Sequence, residues 1–324
     1  MNETEVTVGI DIGGTNTTAG IIDPAGRELA VTRFPTDAPG GAESYIRRLA
    51  LTIEDLRSGL QGSYILQGIG IASPAANHRD GTIQRPANLP WGTINIVEML
   101  RQYFDLPIMV VNDSNAAALG EMKYGSAKGM RNFILITLGT GLGAGLVMQG
   151  ELLHGETGAA GELGHMGLDP QGRECGCGRR GCVETYVSAT GIRRTAFELL
   201  AVRISPSQLR TMTFDGLTAK HLSELAEKGD AIAREAFEIT GMHLGRMLAN
   251  VVAVFDPQAV ILSGGLANAG ELLLGPTRRT FEANLMDVYK DRVKIIRSML
   301  PDGRAAVLGA SSLVRVSQQE DVPE

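Results

Sequence analysis

The sequence predicts an α/β protein of two lobes that repeat one chain path. Each half contains an apolar strand, a glycine-rich turn and a return strand. Aligning Ile12-Gly13-Gly14-Thr15 with Leu138-Gly139-Thr140-Gly141 brings residues 19–22 onto 144–147, with one residue gapped. Such internal similarity indicates that one structural unit occurs twice. A length of 324 residues is enough for two domains with a substantial core.

The elements of the first half follow from apolar runs separated by turn residues. Strands are predicted where short apolar segments end at glycine, proline or aspartate. One helix is marked by apolar residues that share a helical face: Ile46, Leu49, Ile53 and Leu56. The predicted order is strands over 6–11, 17–22 and 28–33, that helix, strands over 67–72 and 107–111, and a helix over 115–124.

The second half repeats the meander and then adds helices. We predict strands over 132–138, 144–148 and 259–262, a long amphipathic helix over 231–254, and a last helix over 305–316. We expect the last helix to pack back on the first lobe. The predicted domains are therefore a small lobe of residues 1–113 with 305–324, and a large lobe of residues 114–304.

The composition argues against a nucleic-acid-binding protein and against a membrane-spanning one. The net charge of −6 and the absence of long basic runs argue against a nucleic-acid partner. The longest apolar stretch, 133–148, is too short to span a membrane and is interrupted by glycines and threonines. The first residues are polar and lead into a strand, so we expect no signal peptide. Together with thiols of reduced type, this predicts a cytoplasmic location.

The three cysteines are clustered in one short segment. Cys175, Cys177 and Cys182 fall within eight positions, and His165 lies ten residues before the first. Three thiolates and one imidazole complete a tetrahedral Zn²⁺ shell. A disulfide would leave one cysteine over, and a bridge across a single residue is strained. Free core thiols are the other alternative. We predict structural zinc, because four protein ligands leave no position for a catalytic water.

Three glycine turns follow strands and could contact phosphates. They are Asp11-Ile12-Gly13-Gly14-Thr15, Gly139-Thr140-Gly141 and Ser263-Gly264-Gly265. Glycine allows backbone N–H groups to approach a phosphate closely, and Asp11 would face the accompanying Mg²⁺ through water. The first turn could also be a simple hairpin. The spacing does not match a P-loop or a dinucleotide fingerprint. Three such turns suggest ATP with Mg²⁺ held in a cleft between the lobes.

Several acids and amides are candidates for a polar substrate. Asn112 and Asp113 follow a strand, where Asp113 could accept a proton from a hydroxyl attacking the γ-phosphate. Equally, Asp113 or Ser114 could cap the next helix. Glu162 precedes His165 in Gly-Glu-Leu-Gly-His, and Glu184 follows Cys182 by two residues. Carboxylates and amides bind pairs of sugar hydroxyls. Asn88, before Trp91, could also reach a substrate.

Taken together, these motifs resemble those of the ROK family (repressors, open reading frames and sugar kinases) of the actin-like, ribonuclease-H-like superfamily. The resemblance runs almost end to end. It implies ATP-dependent phosphorylation of a hexose at the 6-hydroxyl by a homodimer. It also implies that Asp113 is the catalytic base, that the glycine turns bind ATP, and that the sugar contacts are Asn112, Glu162, His165 and Glu184.

The substrate expectation within this family is glucose. The segment 85–96 looks closer to the glucokinase branch, whereas Ala75 stands after Pro74 where glucose kinases more often have glycine. N-acetylmannosamine, N-acetylglucosamine or fructose is the alternative hexose, and polyphosphate is an alternative donor. A transcriptional regulator is the non-enzyme alternative. It is disfavoured because the first phosphate turn begins at Asp11, which leaves no room for a helix-turn-helix domain, and because Asp113 is retained.

Overall fold

The chain folds into two compact units. The computed structural model describes residues 3–37, 39–86, 89, 91–301 and 303–320. Unit 1 comprises Met1–Gly129, Leu152–Ala160 and Met299–Glu324, and unit 2 comprises Met130–Glu151 and Gly161–Ser298. No helix among the described residues is long and apolar enough to cross a membrane.

Both units combine strands with helices, which are numbered in chain order. The strands are β1 (Thr4–Ile12), β2 (Asn16–Ile22), β3 (Glu28–Pro35), β4 (Tyr64–Ser73), β5 (Ala76–Asn77), β6 (Thr82–Ile83), β7 (Ile94–Asn95), β8 (Ile108–Asn112), β9 (Phe133–Leu138), β10 (Leu142–Met148), β11 (Glu151–Leu152), β12 (Ala259–Ser263) and β13 (Lys294–Arg297). The helices are α1 (Gly41–Ser58), α2 (Ile96–Arg101), α3 (Asp113–Tyr124), α4 (Ala189–Val202), α5 (Ala219–Glu227), α6 (Ala231–Phe255), α7 (Glu271–Asn284) and α8 (Arg304–Glu320).

The two units contain sheets of the same topology. The order is β3-β2-β1-β4-β8 in one sheet and β11-β10-β9-β12-β13 in the other. In unit 1 the meander β1–β3 is antiparallel, and β1, β4 and β8 run parallel. In unit 2, β9 and β10 are antiparallel, while β9, β12 and β13 are parallel. The repeated meander predicted from the sequence is confirmed, and the repeat extends to five strands in each sheet.

Helices cover these sheets through apolar faces. In α1 the buried residues include Ile46, Leu49 and Ile53, three of the four positions that predicted this helix. In α8, Val307 packs with Ile22, and Ala310 shares a buried cluster with Ala116 of α3. Unit 2 has its own core, in which the long helix α6 is central.

The division into units differs from the predicted lobes in three respects. Unit 1 continues beyond residue 113, so that α3 belongs to it, it also includes Leu152–Ala160, and its C-terminal part begins at Met299 rather than at residue 305. The reason for the first difference is packing: α3 lies along α8, with Ala116 and Ala310 in one cluster. A local sequence pattern does not reveal such contacts between distant helices.

Candidate active site and metal centre

The first candidate group lies where β8 meets α3. The side-chain oxygen of Asn112 accepts the N–H groups of Ser114 at 2.9 Å and Asn115 at 3.4 Å, so Asn112 is the N-cap of α3. Neither alternative cap, Asp113 or Ser114, takes this role. Asp113 is the first helical residue, and its Oδ1 accepts the Ser114 N–H at 2.7 Å. The capping function that competed with catalysis is therefore supplied by Asn112.

Two acids of unit 1 lie at the carboxyl ends of parallel strands. Asp11 is in register with Ala72 of β4, and the next β4 residue, Ser73, is in register with Asn112. Burial raises the pKa of Asp113. Burial and the charge of Asp113 raise the pKa of Asp11 to about 7, against the lowering effect of Arg33. A carboxylate with a raised pKa is a stronger proton acceptor when ionised.

The first glycine turn joins β1 to β2 and is supported from behind. The Gly13 N–H donates to Asn16 O at 3.0 Å, and the Thr36 N–H donates to Thr15 O at 2.9 Å. Beneath it, Thr17 Oγ1 lies 2.7 Å from the Tyr45 hydroxyl and 3.0 Å from Thr36 Oγ1, all buried. Gly14 and Thr15 are exposed. The turn is fixed on one side and open on the other, as a phosphate contact requires.

In unit 2 the structure brings the other two glycine turns together. The Leu266 N–H donates to Leu138 O at 3.1 Å, directly before the turn at Gly139. Gly264 has φ +92°, and a Cβ there would lie 2.6 Å from Leu138 O. Only glycine fits this close approach in this conformation. The adjacent Gly265 has open space around it, so its backbone remains accessible.

Glu184 links the glycine turn of unit 2 to the cysteine cluster. Its Oε2 accepts the Leu142 N–H at 3.0 Å, next to Gly141. Its Oε1 lies 3.8 Å from Cys175 Sγ. Sequence reasoning proposed Glu184 as a sugar contact and missed this second connection, because the partners are 42 positions apart.

The four predicted metal ligands lie together. The ligand atoms of His165, Cys175, Cys177 and Cys182 are all within 4.8 Å of one another. Cys177 Sγ is 3.6 Å from Cys182 Sγ, and Cys175 Sγ is 3.6 Å from His165 Nδ1. Tetrahedral zinc with ordinary bond lengths gives ligand–ligand edges of about 3.6–3.8 Å. All three cysteines are free, which leaves the disulfide alternative without support. The donor set and its spacing fit zinc.

His165 presents its two ring nitrogens in different directions. Nδ1 faces Cys175, whereas Nε2 lies 3.8 Å from Glu162 Oε2. A short 3-10 turn, Leu163–His165, fixes this arrangement, since the His165 N–H donates to Glu162 O at 3.1 Å. The Glu162 side chain is 60% exposed and is therefore accessible to a polar ligand.

Arg173 is a structural residue that sequence reasoning did not find. Its guanidinium donates to Thr185 O at 2.7 Å and Gly191 O at 3.1 Å, and it lies 4.3 Å from the centroid of the Tyr186 ring. These contacts hold the segment that carries Glu184 against α4. An arginine before the cysteines gave no signal of this role. The predicted substrate contact Asn88 lies outside the described residues.

Comparisons with known proteins identify the family of this chain. The sequence matches the ROK family over residues 7–317. A glucokinase of Streptomyces coelicolor is 35% identical over 317 residues, which are 96% of this chain and 98% of that relative. A solved ROK family glucokinase from Streptomyces griseus, in complex with glucose and AMPPNP, has a TM-score of 0.81 at 33% identity and covers 96% of this chain and 99% of its own.

The same fold also occurs in a regulator. A ROK family transcriptional regulator, a homologue of the E. coli MLC protein, has a TM-score of 0.84 at 26% identity, covering 98% of this chain and 81% of its own. The two-lobed actin-like fold predicted from the sequence is confirmed by these similarities. The fold alone does not distinguish a kinase from a regulator. The distinction has to come from the side chains of the site.

Proposed function

The chain belongs to the ROK family, and on that premise we propose that it is an ATP-dependent sugar kinase that phosphorylates glucose at the 6-hydroxyl. The glucokinase relatives, which align over nearly their whole length, support this substrate. One structural observation carries the chemistry. Asp113 is a partly buried carboxyl group at a strand end, its pKa is raised, and the N-cap of the following helix is Asn112 rather than Asp113.

In the proposed reaction, Asp113 accepts the proton of the sugar 6-hydroxyl while that oxygen attacks the γ-phosphorus of ATP. The new P–O bond forms to the sugar as the bond to the ADP oxygen breaks, and ADP leaves. Positioning and electrostatic stabilisation supply most of the acceleration in phosphoryl transfer. We assign the phosphate contacts to the turn residues Gly13, Gly14 and Thr15, and to Gly139, Thr140, Gly141, Gly264 and Gly265.

Asp11 is assigned to the Mg²⁺ that enters with ATP. Magnesium keeps much of its hydration, so a carboxylate contacts it most readily through water. The pKa of Asp11 is raised because burial and the charge of Asp113 oppose its ionisation more strongly than Arg33 favours it. A divalent cation would relieve this opposition.

The sugar contacts are assigned by donor and acceptor type. The capping oxygen of Asn112 is occupied, which leaves its amide nitrogen to donate to a hydroxyl. Glu162 is exposed, and His165 Nε2 points away from the cysteines. Glu184 completes this set, with Asn88 as a further contact. Carboxylates that accept from adjacent hydroxyls suit a hexose.

We further propose that His165, Cys175, Cys177 and Cys182 hold structural Zn²⁺. Four protein ligands leave the ion no open position, so its contribution when bound is to cross-link the loop. Through His165 the loop orients Glu162, and through Cys175 it adjoins Glu184. Such orienting contacts commonly support a functional residue. By family resemblance we also propose a homodimer in the cytoplasm.

The testing experiment is a coupled ADP-release assay with Mg·ATP and a panel of glucose, mannose, fructose, allose, N-acetylglucosamine and N-acetylmannosamine. Asp113→Asn is the control, and glucose binding is measured by calorimetry for both proteins. We expect glucose turnover that vanishes in the variant, while glucose affinity stays within a few-fold. An N-acetylated hexosamine preferred by ~10-fold, about 1.4 kcal/mol, would overturn the choice of glucose. If none of the six sugars is turned over by the zinc-bound protein, another phosphoryl donor or a sugar-sensing regulator would be favoured.

A further inference from the structure

Two histidines outside the proposed catalytic groups stack on each other in unit 1. The rings of His78 and His154 have centroids 3.8 Å apart and an interplanar angle of 25°. His78 follows β5, whereas His154 belongs to Leu152–Ala160, the part of the chain that enters unit 1 from unit 2. We call residues 152–160 the crossing segment. The stack fastens this segment to a turn distant in sequence.

Further contacts of the crossing segment converge on the same turn. Arg79 donates to Gly155 O at 3.1 Å, and its guanidinium lies 3.8 Å from Glu156 Oε1. Within the segment, the Ala160 N–H donates to His154 O at 3.1 Å. The Arg79–Glu156 pair is solvent-exposed, and exposed pairs contribute little. The ring stack and the Arg79 hydrogen bond are therefore the main attachments to this turn. At the start of the segment, Leu152 also packs against the apolar cluster that contains Ala116 and Ala310.

The stack is built from neutral rings. His154 Nδ1 is buried and has no hydrogen-bond partner among the described residues. Burial, His78 and Arg79 lower the pKa of His154 to about 4. Burial and Arg79 also lower the pKa of His78, against the raising effect of Asp80. The charged groups that act on the pair are Arg79 and Asp80, both on the turn, and Glu156 of the crossing segment pairs with Arg79.

The residues that follow the crossing segment explain why its attachment matters. The chain leaves unit 1 at Ala160 and continues directly into Gly161 and Glu162. We propose that His78 and His154 are positioning residues for the hexose site. Their stack fixes the crossing segment, and this segment leads directly into Glu162, the N-cap residue of the 3-10 turn Leu163–His165. This inference rests on the proposed function, in which Glu162 contacts the sugar.

The proposal predicts a pH dependence with a defined sign. The attached segment favours neutral His154, with a pKa of about 4, whereas a released, solvated histidine has a pKa of about 6.5. The released state therefore binds more protons, and attachment weakens as pH falls below about 6.5. Between pH 7.5 and 5.5 the ratio of released to attached segment should rise about 10-fold through His154 alone.

Hydrogen exchange of the full chain measures this ratio directly. We would follow the Ala160 amide, which donates to His154 O, by NMR at pH 7.5 and 5.5, with rates corrected for intrinsic exchange. Wild-type protein should lose about 10-fold protection at the lower pH. His154→Phe keeps an aromatic ring and sacrifices no hydrogen bond at Nδ1, so its protection should change much less. His78→Phe/His154→Phe should be independent of pH, and the exposed His221→Phe should behave as wild type.

Kinetics then test the positioning role. His154→Ala should weaken the attachment by about 2- to 10-fold, the effect expected from losing one aromatic pair, and should raise the glucose KM by up to that factor. Its kcat and ATP KM should stay within two-fold, and His154→Phe should restore the glucose KM. Either an unchanged glucose KM in His154→Ala or wild-type protection that does not depend on pH would overturn this inference. Neither outcome would affect the proposed function. Absence of sugar turnover in wild type would instead remove the proposed function, and with it the role assigned to the stack.

Discussion

Replacing Gly141 by alanine tests the link between the proposed phosphate turn at Gly139-Thr140-Gly141 and the Glu184 carboxylate. A Cβ at this position would lie 2.1 Å from Glu184 Oε2 and 3.1 Å from its Cδ. The carboxylate is at the end of a flexible side chain, so it can swing away without distorting the backbone. Its Oε2 is also the acceptor of the Leu142 N–H at 3.0 Å. Retreating by more than about 1 Å to reach normal contact would break that hydrogen bond.

The size of the effect follows from the bond that is lost. A hydrogen bond to a charged group contributes about 1.5–3 kcal/mol. If that stabilisation is needed to hold both the turn and the sugar contact, kcat/KM for glucose should fall by about 10- to 150-fold. The fold itself should survive, because the clash is relieved by a side-chain rotation. Circular dichroism and zinc content should therefore match those of wild type.

A double-mutant cycle distinguishes this mechanism from a general disturbance of the turn. The coupled ADP-release assay would compare Gly141→Ala, Glu184→Ala and the double variant. Once Glu184 is truncated, no carboxylate remains to be displaced, so the double variant should match Glu184→Ala within two-fold. Gly59→Ala is the matched control, since its Cβ would meet Asp55 O at an ordinary 3.4 Å. Independent effects that multiply in the double variant would refute the reasoning.

Three more predictions concern the cysteine cluster, Asp11 and Gly59. Cys177→Ser should lose the bound zinc, measured by elemental analysis, and lower glucose activity at least 10-fold; full activity without metal would contradict the proposed coupling. The pKa of Asp11 is raised to about 7, so protonation below that pH should raise the Mg·ATP KM by up to about 10-fold per pH unit, and Asp11→Asn should give a flat profile. Gly59→Ala, at a right-handed helix end, should stabilise the protein by about 0.4–1 kcal/mol in urea unfolding.

The elements that could be predicted from the sequence are those with a regular local pattern of apolar residues. The meanders and α1 repeat apolar residues at strand or helix spacing, and these elements formed as expected. Helix α7 was missed because it contains Pro276, which ordinarily interrupts a helix. The strands β5, β6 and β7 have two residues each, too few to show an alternating pattern. Tertiary packing, rather than local preference, determines these elements.

In the candidate site, too, features with a local sequence pattern could be predicted, whereas contacts between distant residues could not. The candidate metal ligands could be brought together from the sequence because Cys175, Cys177 and Cys182 lie in one short loop, with the close spacing that a zinc site needs. The cap of α3 could not be assigned, since Asn112, Asp113 and Ser114 are all good capping types and only the backbone geometry selects Asn112. The Glu184–Leu142 bond and the His78–His154 stack join distant positions with no shared motif.

These distant contacts suggest a wider role for the proposed metal loop, residues 165–182, than its sequence indicates. Cys175 adjoins Glu184, and Glu184 holds the N–H that follows Gly141. The loop is thus connected to the phosphate turn as well as to Glu162 through His165. Removing the metal should therefore raise the KM for both ATP and glucose, whereas releasing the crossing segment should affect glucose alone. A Cys177→Ser variant that changed only the glucose KM would show that Glu184 holds the turn without help from the metal loop.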